Sequence, residues 1–162
     1  MRRWNGWGEE STIYPLPPSA AHYLELLIGK GEAAPDATLP QILAIIPPTR
    51  LPAHPLVITD AEDRLRHARG QSLPDWIALR SGHIHTFPDG VAYPNNREQV
   101  RELLAFARQC GAKVIPYGGG TSVVGHINPL PGPAPVLTID LAHMNQLVVF
   151  DENSQLATFQ AG

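Results

Sequence analysis

Lysine is almost absent from this 162-residue chain, Lys30 and Lys113 being its only copies, and the formal net charge is −3. Without a basic field the chain offers nothing to a nucleic-acid backbone, which is set aside as a partner. Cys110 is the single cysteine, so no intramolecular disulfide can form, which fits a reducing, cytoplasmic setting. The thiol reads as packing at a helix end rather than as a nucleophile. Long apolar runs are missing too: residues 24–28 and 42–48 fall far short of the roughly 20 residues a membrane helix needs. Arg2-Arg3 is followed by the polar, turn-forming Trp4-Asn5-Gly6-Trp7-Gly8-Glu9-Glu10 rather than an apolar leader core, so no signal peptide is read. Internal repeats and low-complexity tracts are absent as well.

What is present is a 43% hydrophobic composition, enough for one sizeable core, together with 17 prolines weighted toward the first half. Pro15, Pro17, Pro18, Pro47 and Pro48 break that half into short helices joined by stiff loops. Ser19 is expected to cap a helix presenting Ala20, Tyr23, Leu24 and Leu27, stopped by Gly29 and Gly31. A second short helix is expected over residues 39–46, after Thr38. Thr59-Asp60-Ala61-Glu62 reads as a capping box for a helix ending at Gly70, and Ser72-Leu73-Pro74-Asp75 as one for a helix ending at Gly82. Asp60, Asp63 and Asp75 are read as caps or dipole partners of these helices.

From Phe87 the pattern changes. Val91-Ala92-Tyr93 is β-prone, and Asn96, with Gln99 three residues on, caps a helix whose stripe is Val100, Leu103, Leu104 and Ala107, closed by Gly111. Val114-Ile115 then completes a β-α-β unit. Residues 135–141 return to strand, and residues 147–150 and 156–159 form a hairpin about Asp151-Glu152-Asn153-Ser154. The end at Ala161-Gly162, directly after a strand, reads as a truncation.

The β-α-β unit delivers Pro116-Tyr117-Gly118-Gly119-Gly120-Thr121-Ser122 at a strand's carboxyl end, where ligands favour α/β folds. Glycines without Cβ atoms let successive N–H groups converge on an anion, and Thr121 and Ser122 add hydroxyl donors, so a phosphate-bearing cofactor is the natural guest. A P-loop does not fit, because His126-Ile127 stand where Lys and Ser or Thr would follow Gly125. A dinucleotide fingerprint fails because Val123 occupies the third glycine position. His126 lies beside the loop and is a candidate ligand contact. His83 and His85 would share a strand face, but no carboxylate or thiol follows at ligand spacing, so they read as loop histidines and no metal site is assigned. Trp4 and Trp7 read equally as a packing clamp or a partner surface.

The run from Tyr93-Pro94-Asn95-Asn96 through the glycine loop to Gln160-Ala161-Gly162 resembles the first FAD-binding segment of the vanillyl-alcohol oxidase and p-cresol methylhydroxylase type of flavoprotein. Upstream, Arg3-Trp4-Asn5-Gly6-Trp7-Gly8 and the stretch from Ser72 through Trp76 to Gly82 resemble its alkyldihydroxyacetonephosphate synthase branch. The resemblance implies an α+β fold: an N-terminal helical cap over residues 1–86, then the first, truncated α/β subdomain of an FAD-binding domain over residues 87–162. It implies FAD, wrapped at its pyrophosphate by Pro116, Tyr117, Gly118, Gly119, Gly120, Thr121 and Ser122, and held noncovalently because the loop lacks the tethering histidine of many relatives. Members of that branch exchange the acyl group of acyl-dihydroxyacetone phosphate for a fatty alcohol through a flavin N5 adduct, in ether-lipid synthesis. The family's second FAD segment, substrate domain and catalytic residues would lie after Gly162. This stretch alone is therefore expected to have no catalytic residue and no turnover, and to retain FAD weakly or not at all. The full-length protein would take a small or lipid-like substrate, with a homodimer left open. Two other readings stand beside it: an FAD-linked dehydrogenase of 2-hydroxy acids, and a noncatalytic interaction module docking through Trp4, Trp7 and the Phe159 edge.

Overall fold

A computed structural model describes residues 2–32 and 36–162. The first half is helical: α1 (Pro18–Ile28), α2 (Leu39–Leu43), α3 (Ala61–Arg66) and α4 (Leu73–Ser81). The second half holds β1 (Gly90–Ala92), α5 (Arg97–Cys110), β2 (Lys113–Tyr117), β3 (Val136–Asp140), β4 (Leu147–Asp151) and β5 (Leu156–Phe159).

Local chemistry starts most of these helices. Ser72 Oγ accepts from the Asp75 N–H at 3.2 Å while Asp75 Oδ2 accepts from the Ser72 N–H, the expected capping box. Asn96 Oδ1 accepts from the Gln99 N–H at 2.9 Å, and α5 ends as expected at Gly111. Two starts differ from the expectation. α1 begins with Pro18 at its first position and Ser19 inside, because proline's fixed φ suits a position whose N–H needs no partner. For α3 the cap is Asp60, not Thr59: its Oδ2 accepts from the Glu62 and Asp63 N–H groups. That helix stops at His67, and α2 stops at Leu43, well before Gly70 and Ile46.

The sheet has the order β1-β3-β2, all parallel. β3 therefore enters between the two strands of the expected β-α-β unit. Every residue of β3 is buried, as the apolar run of a central parallel strand requires. α5 packs on this sheet through Leu103, Phe106 and Ala107, whereas Leu104 is exposed. The stripe is turned from the expected one because Phe106 stacks on the His54 ring, with centroids 4.5 Å apart. Leu51, Ala92, Leu137 and Ile139 complete this core. A second core of Ile42, Leu65, Ala68, Leu79, Ile84 and Phe87 binds α2, α3 and α4, with Trp4 packed against it. No residue of α1 is buried.

The two cores are joined by charge. Asp89, with a side chain 4% exposed, accepts from Arg50 Nε at 2.8 Å, Arg50 Nη2 at 2.7 Å and the Val136 N–H at 2.7 Å. Burial alone would raise its pKa, but the bonds from Arg50 and Val136 outweigh it and hold the carboxyl below its ordinary range.

Candidate functional site

The glycine loop leaves β2 beside the carboxyl end of β3. Strand register sets Pro116 against Ile139 and Tyr117 against Asp140, and the Leu141 N–H donates to the Tyr117 carbonyl at 2.9 Å. Among the described residues, the backbone N–H groups of Gly118, Gly119, Gly120, Thr121 and Ser122 donate to no acceptor of the chain. A run of free amides at a loop is what an anion nest offers. Around Gly118 and Gly119 a Cβ would meet nothing closer than 3.6 Å, so the backbone is open to a guest on that side.

The loop's own carbonyls are engaged. Gly119 O accepts from Arg2 Nη1 at 2.9 Å, and Ser122 O accepts from the Gln71 N–H at 2.6 Å. The second contact brings the two backbones so close that a Cβ on Gly70 would run into the Ser122 carbonyl. Gly70 is therefore required for this approach rather than as the helix stop that its position suggested. Asn128 adds a second tie, accepting from the Gly70 N–H at 3.0 Å and donating to Asp75 Oδ1 at 2.6 Å.

Beneath the loop lies a polar cluster buried in the fold. Tyr117 is 6% exposed, its hydroxyl placed under Gly120, and burial raises its pKa while Arg2 opposes the shift. The His67 ring lies 4.4 Å from that of Tyr117. His67 Nδ1 lies 2.7 Å from the Asp63 carbonyl and donates there, and Nε2 faces Asp140 Oδ2 at 2.9 Å. Tyr93 donates to Asp63 Oδ1 at 2.7 Å, and burial, with Asp63 next, keeps its phenol protonated far above the ordinary range. This cluster couples α3 to the ends of β1, β2 and β3.

A cavity of about 300 Å³ opens beside the loop, with Arg2, Arg3, Arg66, Arg69, Gly118 and Gly119 on its wall. The arginines share this wall with Asp140 and with the apolar Trp4, Leu65 and Leu79, and together with the amides of Gly118 and Gly119 they are donors suited to a diphosphate. Of the residues singled out in the sequence, Pro116 is exposed on β2, Tyr117 supports the loop from below, Gly118 and Gly119 line the cavity, Gly120 is buried and Thr121 is exposed. Ser122 Oγ lies 3.2 Å from His126 Nδ1, so His126 touches the loop itself. His83 and His85 are exposed, and no group able to hold a metal is found among the described residues. Arg2, His67, Asp140 and Asn128 escaped the sequence reading, because each reaches the loop or its support by long-range packing that leaves no local pattern.

With this geometry in place, comparison with known proteins is informative. Residues 88–162 match the family model described as FAD binding domain. Alkyldihydroxyacetonephosphate synthase of Dictyostelium discoideum is 26% identical over 99% of this chain and 32% of its own length. A solved structure of alkyldihydroxyacetonephosphate synthase superposes with a TM-score of 0.74 at 25% identity, over 96% of this chain and 36% of that one. The mitochondrial cytochrome D-lactate dehydrogenase of Kluyveromyces lactis is 36% identical over 46% of this chain and 13% of its own length. The chain thus spans about a third of the length of the synthase relatives it matches.

Proposed function

We propose that this chain is the N-terminal portion of a flavoenzyme resembling alkyldihydroxyacetonephosphate synthase, with FAD as its cofactor, a reading supported by the match of residues 88–162 to the FAD binding domain model. On this reading residues 1–86 form a helical region and residues 87–162 the first part of the FAD-binding domain. Gly118, Gly119, Gly120, Thr121 and Ser122 would hold the pyrophosphate through backbone N–H groups and hydroxyls, with Pro116 and Tyr117 setting the loop's base. FAD is expected to be held noncovalently, because residues 116–122 contain no histidine, and His126 contacts the loop only through Ser122. The observation that carries the reading is a run of five amides with no acceptor among the described residues, the first two of which, Gly118 and Gly119, line a recess that Arg2, Arg3, Arg66 and Arg69 also line.

When bound, FAD would supply the chemistry of exchanging an acyl for an alkyl group on a dihydroxyacetone phosphate. The chain's own part is to bind and orient that cofactor, with turnover requiring residues outside this stretch. The synthase reading is favoured over a 2-hydroxy-acid dehydrogenase because the synthase similarity runs through the helical region as well, whereas the dehydrogenase similarity covers less than half the chain. Thermal melting of the full-length protein that carries this stretch tests the cofactor assignment: FAD should raise Tm in a concentration-dependent way, and ATP or NAD should not. If FAD leaves Tm unchanged while another nucleotide raises it, the assignment is wrong. Equal silence with all three favours a noncatalytic interaction module.

A further inference from the structure

Between Gly118 and Gly162 the sequence contains neither lysine nor arginine, while Asp140, Asp151 and Glu152 fall in that span. The stretch that carries the free-amide loop therefore brings no cation of its own to a diphosphate. Cationic charge reaches the loop from the opposite end of the chain. Arg2 Nη1 donates to the Gly119 carbonyl across 117 residues of sequence, and Nη2 lies 3.2 Å from where a Cβ of Gly120 would sit. The guanidinium thus lies along the Gly119-Gly120 backbone on the cavity wall.

The segment bearing Arg2 is held in place by several independent contacts. Arg2 bridges to Glu9 in antiparallel fashion, and the Arg3 N–H donates to the Gly8 carbonyl at 2.9 Å. The Arg3 side chain closes the turn from inside, donating to the Glu9 and Thr12 carbonyls. Arg66 Nη1 donates to the Arg2 carbonyl at 2.7 Å, and Trp4 packs on the second core. The cations on this wall differ in how far their charge is already matched. Arg66 is paired with Glu62 and Glu10, and Arg69 is half-buried with its side chain on the Ala68 and Thr86 carbonyls. Arg2 is exposed and, among the described residues, has no carboxylate partner. Its charge is available.

We propose that Arg2 is a cofactor-binding residue whose guanidinium pairs with the pyrophosphate held by the glycine loop, so that the N-terminal segment completes a site whose amides come from residues 118–122. This inference rests on the FAD reading above and adds to it a ligand group from outside the family-matched residues. Arg2 Nη1 holds the Gly119 carbonyl and the guanidinium also bonds the Tyr117 hydroxyl, and the planar fork has further N–H donors beyond these two contacts, which suits arginine toward phosphate oxygens.

FAD titration of the full-length protein, followed by flavin fluorescence at several salt concentrations, separates charge from scaffolding. Arg2→Gln keeps an amide donor for the Gly119 carbonyl but removes the charge, and Arg2→Lys keeps the charge. Arg2→Gln should bind FAD about tenfold more weakly, with a flatter dependence on salt, while Arg2→Lys stays within about threefold of the parent. Because Arg2 is exposed, both variants should melt like the parent without FAD. Equal weakening by Gln and Lys, an unchanged salt dependence, or full affinity in Arg2→Gln would overturn the assignment and leave Arg2 as a clip on the loop or nothing more. A full-length protein that binds no FAD would instead sink the cofactor reading itself.

Discussion

Gly120 meets two demands at once: its φ is +65°, and the Tyr117 ring and hydroxyl occupy the space of a Cβ. Gly120→Ala should therefore cost about 2 kcal/mol in urea denaturation and move the loop enough to weaken FAD binding. Thr138 presents the opposite case. Its hydroxyl is fully buried in β3 with no partner among the described residues, so Thr138→Val should raise stability by about 1 kcal/mol in the same assay. For Asp89 the sign follows from its depressed folded pKa. The unfolded carboxyl titrates near 4, so its stabilisation is complete above that pH and is lost as pH falls through the lower folded value. Tm of the parent should consequently fall between pH 5 and pH 2 more steeply than that of Asp89→Asn, which lacks this contribution; parallel curves would contradict the assignment. None of the three residues announces its role in the sequence. Gly120 was visible as a glycine in a loop, but the tyrosine beneath it, the burial of Thr138 and the Arg50 partner of Asp89 are products of packing.

Helices and strands were more legible, because their signals are local. Ser72 with Asp75, and Asn96 with Gln99, satisfy amides within one turn, and that chemistry is written in adjacent residues. Asn96→Ala should cost about 1 kcal/mol by thermal or urea unfolding, the usual worth of such a cap. Where two local readings compete, the wider structure decides. The stripes 100/103/104/107 and 103/106/107/110 are both valid helical faces of α5, and His54, more than forty residues upstream, selects the second by packing on Phe106. Likewise the periodicity of residues 135–141 shows a strand but not its place, which depends on pairing with both β1 and β2. The β4–β5 hairpin was foreseen from its turn, where Asp151 accepts from the Asn153 and Ser154 N–H groups. Its residues are exposed throughout, and an isolated two-stranded hairpin is marginal. Hydrogen exchange should accordingly be fast over residues 147–159 and slow over 136–140.

Taken together, the molecule consists of two cores joined through the Arg50–Asp89 pair, the Gly70–Ser122 approach and the His67–Asp140 bond. No described helix is long and apolar enough to cross a membrane. Among the described residues, His67→Ala would leave the Asp140 carboxylate with only the Ala142 N–H as partner, so it should lower stability by about 2 kcal/mol and, through Tyr117, loosen the glycine loop. A drop in FAD affinity beyond that of an equally destabilising change at Leu65 would reveal this coupling. The central position of β3 has a kinetic counterpart. Strands β1 and β2, though adjacent in sequence, share no hydrogen bond and each finds its sheet partner only when residues 136–140 arrive. A nascent chain must therefore carry two open parallel edges through the synthesis of the glycine loop and the proline-rich excursion behind it, and sheet closure by β3 is the step expected to limit the folding rate.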